Sequence, residues 1–437
     1  MSSSNGHRRV VITGIGAVSP LGTSARETWA GLVAGQSGIG RISLFDASEF
    51  PTKIAGEVRN FDFDQMLRRD PALANVSRST FFALQAAEEA FKDSMLRSFI
   101  INPERFGIYF AAGDSGIDFG PFVETLSSSL NGDTSQVVDK ALYLEASGRY
   151  MNALKELETQ PFMTVTHLAR RFDIRGPVSN CLTACAASSQ AIGEAFEWIR
   201  RGDADVVMSG GSHSMIYPLG VAGFSLLTVL STRNDDPEKS SRPFDKKRDG
   251  FVLAEGAGVV ILEELTHALK RRAKIYGEIV GYGSTADAYR LTDMDPEGRG
   301  ARRAIEIALR KASLTPGDVD YINAHGTATA VNDAIETLVI KKVMGEYAHK
   351  VPVSSIKSML GHMIAAAGVL EVIACVLAMR DHVIPPTINY EEPDPDCDLD
   401  YVPNQAREAE VNVALSNSFG FGGQNICLAL TNREASY

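Results

Sequence analysis

The second half of this 437-residue chain repeats the pattern of the first, and that repetition limits the fold more than any other feature. Arg9–Val18 (RVVITGIGAV) is a β-rich run ending in glycines, and Lys274–Gly283 (KIYGEIVGYG) likewise runs from strand into glycine. Arg105–Gly113 is answered by Val319–Gly326, Ser179–Arg200 by Ser354–Met379, and Val206–Gly211 by Val413–Gly423. Thr23–Val33 and Ala186–Arg200 have helical spacing, while Phe106–Ala112, Asp205–Ser209 and Gly256–Leu262 read as strands. Strands alternating with helices imply an α/β class with parallel pairing. The expected organisation is two similar βαβ halves, 1–268 and 269–437, meeting near residues 265–275.

The chain is long enough for this, since domains run to roughly 100–200 residues. Its apolar fraction of 44% suits a buried core without a disulfide framework. The net charge of -11 argues against nucleic-acid binding, which needs a basic surface. The five cysteines, Cys181, Cys185, Cys375, Cys397 and Cys427, form no CxxC pair and no zinc-type cluster. They read as reduced thiols in a cytoplasmic setting. The N-terminus (MSSSNGHRR) shows no secretory pattern. The apolar run Ile364–Met379 carries Glu371 and is shorter than a membrane span of about 20 residues, so it reads as a buried helix. One segment, about 117–165, fits neither half and reads as a polar, helical insertion.

Four short stretches carry chemistry. In Thr183–Ser189 (TACAASS), Cys185 follows a strand and opens a helix, where amide N–H groups and the helix dipole favour a thiolate. In Asn323–Thr329 (NAHGTAT), His325 stands at a strand's C-terminal end, where open α/β sheets place ligands, with Thr327 and Thr329 beside it. In Ser354–His362 (SSIKSMLGH), Lys357 and His362 precede the buried helix, and Glu371 on that helix is the natural partner for a buried lysine. In Asn417–Gly423 (NSFGFGG), glycines let backbone N–H groups approach a substrate oxygen, while Phe419 and Phe421 can shield an apolar tunnel. Taken singly, each admits a structural reading; their joint order is far more specific.

Together with RRVVITGIGAVSPLG, STRNDDPEKSSRPFDKKRDGFVLAEGAG and PPTINYEEPDPDCDLDYVPN, these stretches resemble the elongating type II β-ketoacyl-[acyl-carrier-protein] synthases of the thiolase-like superfamily. The resemblance runs from Arg9 to about Thr431. It implies a five-layered αβαβα fold and a homodimer, with a heterodimer with a related ketosynthase as the other arrangement. It implies Cys185 as nucleophile, His325 and His362 as the two histidines, Lys357 and Glu371 as their support, and Phe421 as a gate. It also implies that Thr327 and Thr329 touch the pantetheine arm. No metal or redox cofactor is expected, because 4'-phosphopantetheine arrives on the acyl-carrier protein. That carrier is acidic, and Arg68, Arg69, Arg78, Arg200, Arg201 and the Lys270–Lys274 run are the candidate basic dock.

The sequence departs from the family pattern between Gly116 and Arg175, at Ala186–Ser188 after the nucleophile, and at Ala330, where a proline is usual. Those departures suggest an acyl substrate other than the standard long saturated chain. Three rival functions remain on the sequence alone: a coenzyme A-dependent thiolase, which needs a second cysteine in the C-terminal glycine loop; a non-catalytic chain-length partner, which lacks the nucleophile; and a decarboxylase-only or starter-unit role on the same site.

Overall fold

A computed structural model describes residues 8–96, 101–112, 117–130 and 137–433. Residues 131–136 of the insertion, Gly113 of the Arg105–Gly113 run and the first seven residues lie outside the described residues. Ten strands form one mixed sheet. In chain order they are β1 (Val10–Val18), β2 (Phe106–Ala112), β3 (Val178–Cys181), β4 (Val206–His213) and β5 (Gly256–Glu264). Then follow β6 (Gly277–Ala286), β7 (Tyr321–Asn323), β8 (Val353–Ser354), β9 (Val413–Gly420) and β10 (Gln424–Thr431). Their order across the sheet is β8-β7-β9-β10-β6-β1-β5-β4-β2-β3. Read outward from the β1–β6 junction, one half runs 1-5-4-2-3 and the other 6-10-9-7-8. The second order is the first with five added to each strand number.

The pairing is mixed, not wholly parallel as the strand–helix alternation implied. β4·β2·β3 and β9·β7·β8 are parallel, while β1·β5, β5·β4, β6·β10 and β10·β9 are antiparallel. The reason is local at β9–β10: only Phe421–Gly423 separate the strands, and so short a connection can join only antiparallel neighbours. The two halves join through three residue pairs of β1 and β6, Val10↔Ile279, Val11↔Glu278 and Ile12↔Gly277.

Six helices make the layers: α1 (Arg78–Asp93), α2 (Pro161–Phe172), α3 (Ala187–Arg201), α4 (Arg299–Ala312), α5 (Ala330–Met344) and α6 (Ala367–Asp381). Alternate residues of each strand face opposite sides. On β5, Val260 and Leu262 join a core with α3 and α6, whereas Val259 and Ile261 join a second core with α1. On β10, Ile426, Leu428 and Leu430 face that same middle core, whereas Cys427 and Ala429 face α4 and α5. Helices α3 and α6 are therefore sandwiched between the two halves of the sheet, with one helical layer outside each half: α-β-α-β-α. The run read as a buried helix is α6, buried from Ala367 to Met379.

Two glycines set how closely the outer helices approach. A Cβ on Gly16 would lie 2.0 Å from the Ala86 carbonyl oxygen of α1, and one on Gly283 would lie 1.9 Å from the Ala304 oxygen of α4. The same contact thus occurs once in each half. The insertion is helical, with Phe119–Ser128, Lys140–Tyr150 and Ala153–Glu158 leading into α2. No helix among the described residues is long and apolar enough to cross a membrane.

Candidate active site

The site lies where α3 and α6 begin. β3 ends at Cys181, and Ala184, held at φ 46°, turns the chain so that Ala184–Ala186 form a single 3-10 turn ahead of α3. Ile364, at φ 38°, makes the matching turn Ile364–Ala366 ahead of α6. Cys185 sits in the first turn, and His362 lies just before the second. His325 follows β7, and Phe421 lies in the short β9–β10 connection.

These positions converge. The reactive atoms of Cys185, His325 and His362 all lie within 4.8 Å of one another, and all three residues are buried. They line a cavity of about 320 Å³ with Phe251, Phe419 and Phe421 among its walls. Phe251 stands edge-on to His362 with ring centres 5.1 Å apart, and Phe419 edge-on to His325 at 5.9 Å. The two imidazole centres are 5.5 Å apart.

Lys357 opens a short helix beneath the site. Its Nζ donates to the His325 carbonyl oxygen at 2.6 Å, stands 3.4 Å from His325 Nδ1, and is ion-paired with Glu371 of α6. Burial raises the Glu371 carboxyl above its ordinary value, against the pull of the Lys357 ammonium and the Ser418 hydroxyl. Burial, helped by Lys357 and His362, holds His325 well below the usual imidazole value. Burial, helped by Lys357 and His213, does the same to His362. Both rings are neutral at physiological pH. Lys357 takes up His325 Nδ1 and so leaves Nε2 as the nitrogen free for the cavity.

At Cys185 burial opposes the pull of the helix start towards a thiolate. Burial pushes the Cys185 thiol up to about 11, against the Phe421 N–H, the Lys357 charge and its own N–H, which pull it down. Full burial outweighs the helix start, so sulfur rests as the thiol. Two main-chain N–H groups, of Phe421 and Cys185, thus converge on the sulfur. Gly420 permits it: a Cβ there would stand 3.2 Å from the Thr183 oxygen and 3.3 Å from the Cys185 nitrogen. Thr327 and Thr329 line the cavity with their hydroxyls 2.9 Å apart, and Thr329 also caps α5 by accepting from the Asn332 N–H.

The chain matches two family profiles: Beta-ketoacyl synthase, N-terminal domain, over residues 7–268, and Beta-ketoacyl synthase, C-terminal domain, over residues 276–391. It belongs to the beta-ketoacyl synthase family. Full-length relatives agree. The chain is 45% identical over 430 residues to 3-oxoacyl-[acyl-carrier-protein] synthase 2 of Coxiella burnetii, covering 97% of this chain and 98% of that one. It is 44% identical over 422 residues to the protein of the same name from Synechocystis sp., covering 97% of each. Among solved structures, a type II PKS acyl-carrier protein in complex with its ketosynthase bound to the hexaketide matches with a TM-score of 0.86 at 36% identity, covering 97% of this chain and 99% of that one. A beta-ketoacyl synthase from Burkholderia phymatum matches with a TM-score of 0.85 at 32% identity, covering 97% and 99%.

The structure adds residues to this beta-ketoacyl synthase site that the motifs did not flag. Glu336 of α5 accepts from the His325 and Gly326 N–H groups at 2.9 and 2.8 Å, and burial pushes its carboxyl up to about 7. His213, at the end of β4, is buried with neither ring nitrogen partnered, and burial pushes it down to about 3. The spacing of His213 in the sequence gave no signal, because its burial depends on β4 and β5 pairing. The candidate dock residues fare differently. Arg78 is tied to buried Glu255 and Arg271 to buried Glu263, so both are structural. Arg68, Arg69, Arg200, Arg201 and Lys274 each lie within ion-pair range of a carboxylate. None of these lines the cavity; exposed Asp249 and half-buried Asp293 do.

Proposed function

We propose that this chain is a 3-oxoacyl-[acyl-carrier-protein] synthase, joining an acyl group on Cys185 to a malonyl-carrier by decarboxylative Claisen condensation. The observation that carries this is the meeting of one thiol and two neutral imidazoles within 4.8 Å in an apolar-walled cavity. Cys185 Sγ attacks the acyl-carrier thioester, its proton passing by way of His362, whose ring nitrogens are unpartnered, to the departing carrier thiol. The N–H groups of Cys185 and Phe421 receive the tetrahedral oxyanion; removing one such donor typically costs about 10²–10³ in rate. Malonyl-carrier then enters, carbon dioxide leaves, and the enolate oxygen accepts hydrogen bonds from Nε2 of His325 and His362. The enolate carbon attacks the acyl carbonyl and expels Cys185, which gives a 3-oxoacyl-carrier two carbons longer. A pair of neutral donors suits an enolate, because a neutral imidazole N–H is too weak an acid to protonate the enolate before it reacts. Thr327 and Thr329 hold the pantetheine arm, which comes with the substrate, and the Lys357–Glu371 pair orients His325.

Cys427 speaks against the thiolase reading: it faces the outer core beside α4 and α5, away from the cavity. The intact Cys–His–His set speaks against a non-catalytic chain-length partner. A self-pairing dimer is part of the same proposal. β3 forms an open sheet edge, and exposed Val178, Leu182, Leu144 and Phe162 lie on it or on the insertion nearby in sequence. The insertion also reaches a second cavity of about 580 Å³, where Ile117 and Pro161 meet Met215 and Phe224. This supports an acyl preference set by the divergent segment. Five free cysteines fit a reducing, cytoplasmic setting.

Intact mass after incubation with a panel of acyl-carriers tests the reading. Wild type gains one acyl group and Cys185→Ala gains none; adding malonyl-carrier then removes the acyl group as 3-oxoacyl product. An acyl panel with the profile of an ordinary long-chain elongase would overturn the altered preference, and no acylation at any length would overturn the function.

A further inference from the structure

We propose that Cys185, His325 and His362 also form an inhibitory binding site for a soft metal ion, Zn²⁺ above all, which occupies the place of the acyl group. The regulatory consequence rests on the function proposed above; the binding does not.

Three observations carry it. One sulfur and two imidazole nitrogens lie within 4.8 Å of one another. A tetrahedral zinc ion with sulfur at about 2.3 Å and nitrogen at about 2.0 Å holds its donors roughly 3.3–3.6 Å apart. Closing the widest separation needs about 1.2–1.5 Å of movement, shared among the three side chains. The second observation is that His362 is buried with both Nδ1 and Nε2 unpartnered, so no hydrogen bond anchors its ring against such a turn. A buried imidazole with two open nitrogens is a group awaiting a ligand. The third is chemical. Neutral imidazole is the ligating form, and a thiolate with two imidazoles is a donor set that favours zinc over magnesium or calcium. His325 offers Nε2, since Nδ1 faces Lys357.

The approach suits a cation. Asp249 and Asp293 line the cavity, whose volume of about 320 Å³ admits a hydrated ion. On binding, the S–H bond of Cys185 breaks and its proton passes to solvent, the Nε2 proton of His325 moves to Nδ1 as Lys357 gives up its 3.4 Å contact there and keeps the His325 carbonyl and Glu371, and sulfur–zinc and nitrogen–zinc bonds form. Three protein donors leave the fourth position to water, an arrangement typical of reversible, open zinc sites. The bound ion removes the nucleophile and both enolate donors at once, so acylation and condensation stop together. A chelator restores them.

The test uses the full chain and zinc alone, measured by competition with a chromophoric chelator. Wild type takes up one equivalent. Cys185→Ser and His362→Ala each weaken binding by about 100-fold or more, since losing even an outer partner of a ligand costs 10–100-fold. Cys181→Ser, outside the cluster, leaves binding unchanged, and prior acylation of Cys185 blocks it. Equal affinity in wild type and Cys185→Ser overturns the proposal, as does an acyl-enzyme that takes up zinc as well as the free enzyme. Zinc uptake lost in Cys185→Ser, in a chain that no acyl-carrier acylates, sustains the binding site and overturns the synthase reading instead.

Discussion

Lys357 Nζ holds the carbonyl oxygen of His325 at 2.6 Å while its charge is matched by Glu371 of α6, so one ammonium fixes a cavity-lining imidazole to the central helical layer. Lys357→Met strands a buried carboxylate and is expected to lower stability by about 3–5 kcal/mol. Lys357→Met combined with Glu371→Leu recovers most of that in urea unfolding, because no charge is left unpaired. Condensation does not recover, because His325 has lost the group that sets its tautomer. Recovery of both together would show that the pair serves folding alone.

The protonated state of Cys185 has a direct signature. With the thiol pushed up to about 11 from a usual 9.0, its alkylation by iodoacetamide rises about tenfold per pH unit through neutrality and is still rising above pH 9.0. Peptide mass mapping follows this residue apart from the other four. A rate that levels off below pH 9.0 would mean that the two N–H groups outweigh burial.

Glu336 titrates within the working range. Its carboxyl is raised by burial from 4.5 to about 7, so the folded state holds its proton more tightly than the unfolded one. The stability this contributes is complete below pH 4.5 and is lost as pH rises towards 7. Glu336→Gln should therefore show a flatter thermal midpoint than wild type between those values, while its amide oxygen still accepts from the His325 N–H. Parallel pH curves for the two proteins would reject the raised value.

Gly16 and Gly283 occupy equivalent places in the two halves. Alanine at either drives a methyl group onto a helix carbonyl at about 2 Å. Since neither backbone can yield cheaply, each substitution is expected to cost about 1–3 kcal/mol, read from denaturant midpoints. A loss at one position but not the other would show that the halves pack differently despite their shared topology.

Much of this was legible from residues. Each run matched between the halves proved to occupy the same place in the two strand orders, and in the first pair Gly16 and Gly283 record the same close approach of an outer helix. The NAHGTAT and SSIKSMLGH stretches placed His325, Lys357 and His362, since each marks the end of a strand or the start of a buried helix. Antiparallel β5 and β10 were not legible, because pairing direction depends on connections rather than on strand composition. Nor was the thiol state of Cys185, which follows from walls such as Phe251 and Phe421 that only the fold brings together. The unpartnered ring of His213 escaped for the same reason.

The junction at the middle of the sheet also bears on how the protein is made. β1 is synthesised well before either of its neighbours: β5 begins at Gly256 and β6 at Gly277. At roughly 5–20 residues per second, the ribosome takes on the order of 12–50 s to deliver them. Throughout that interval an apolar strand, destined for complete burial, has open edges on both sides. Chaperone demand during translation should therefore concentrate on Val10–Val18, a strand that contributes no side chain to the cavity.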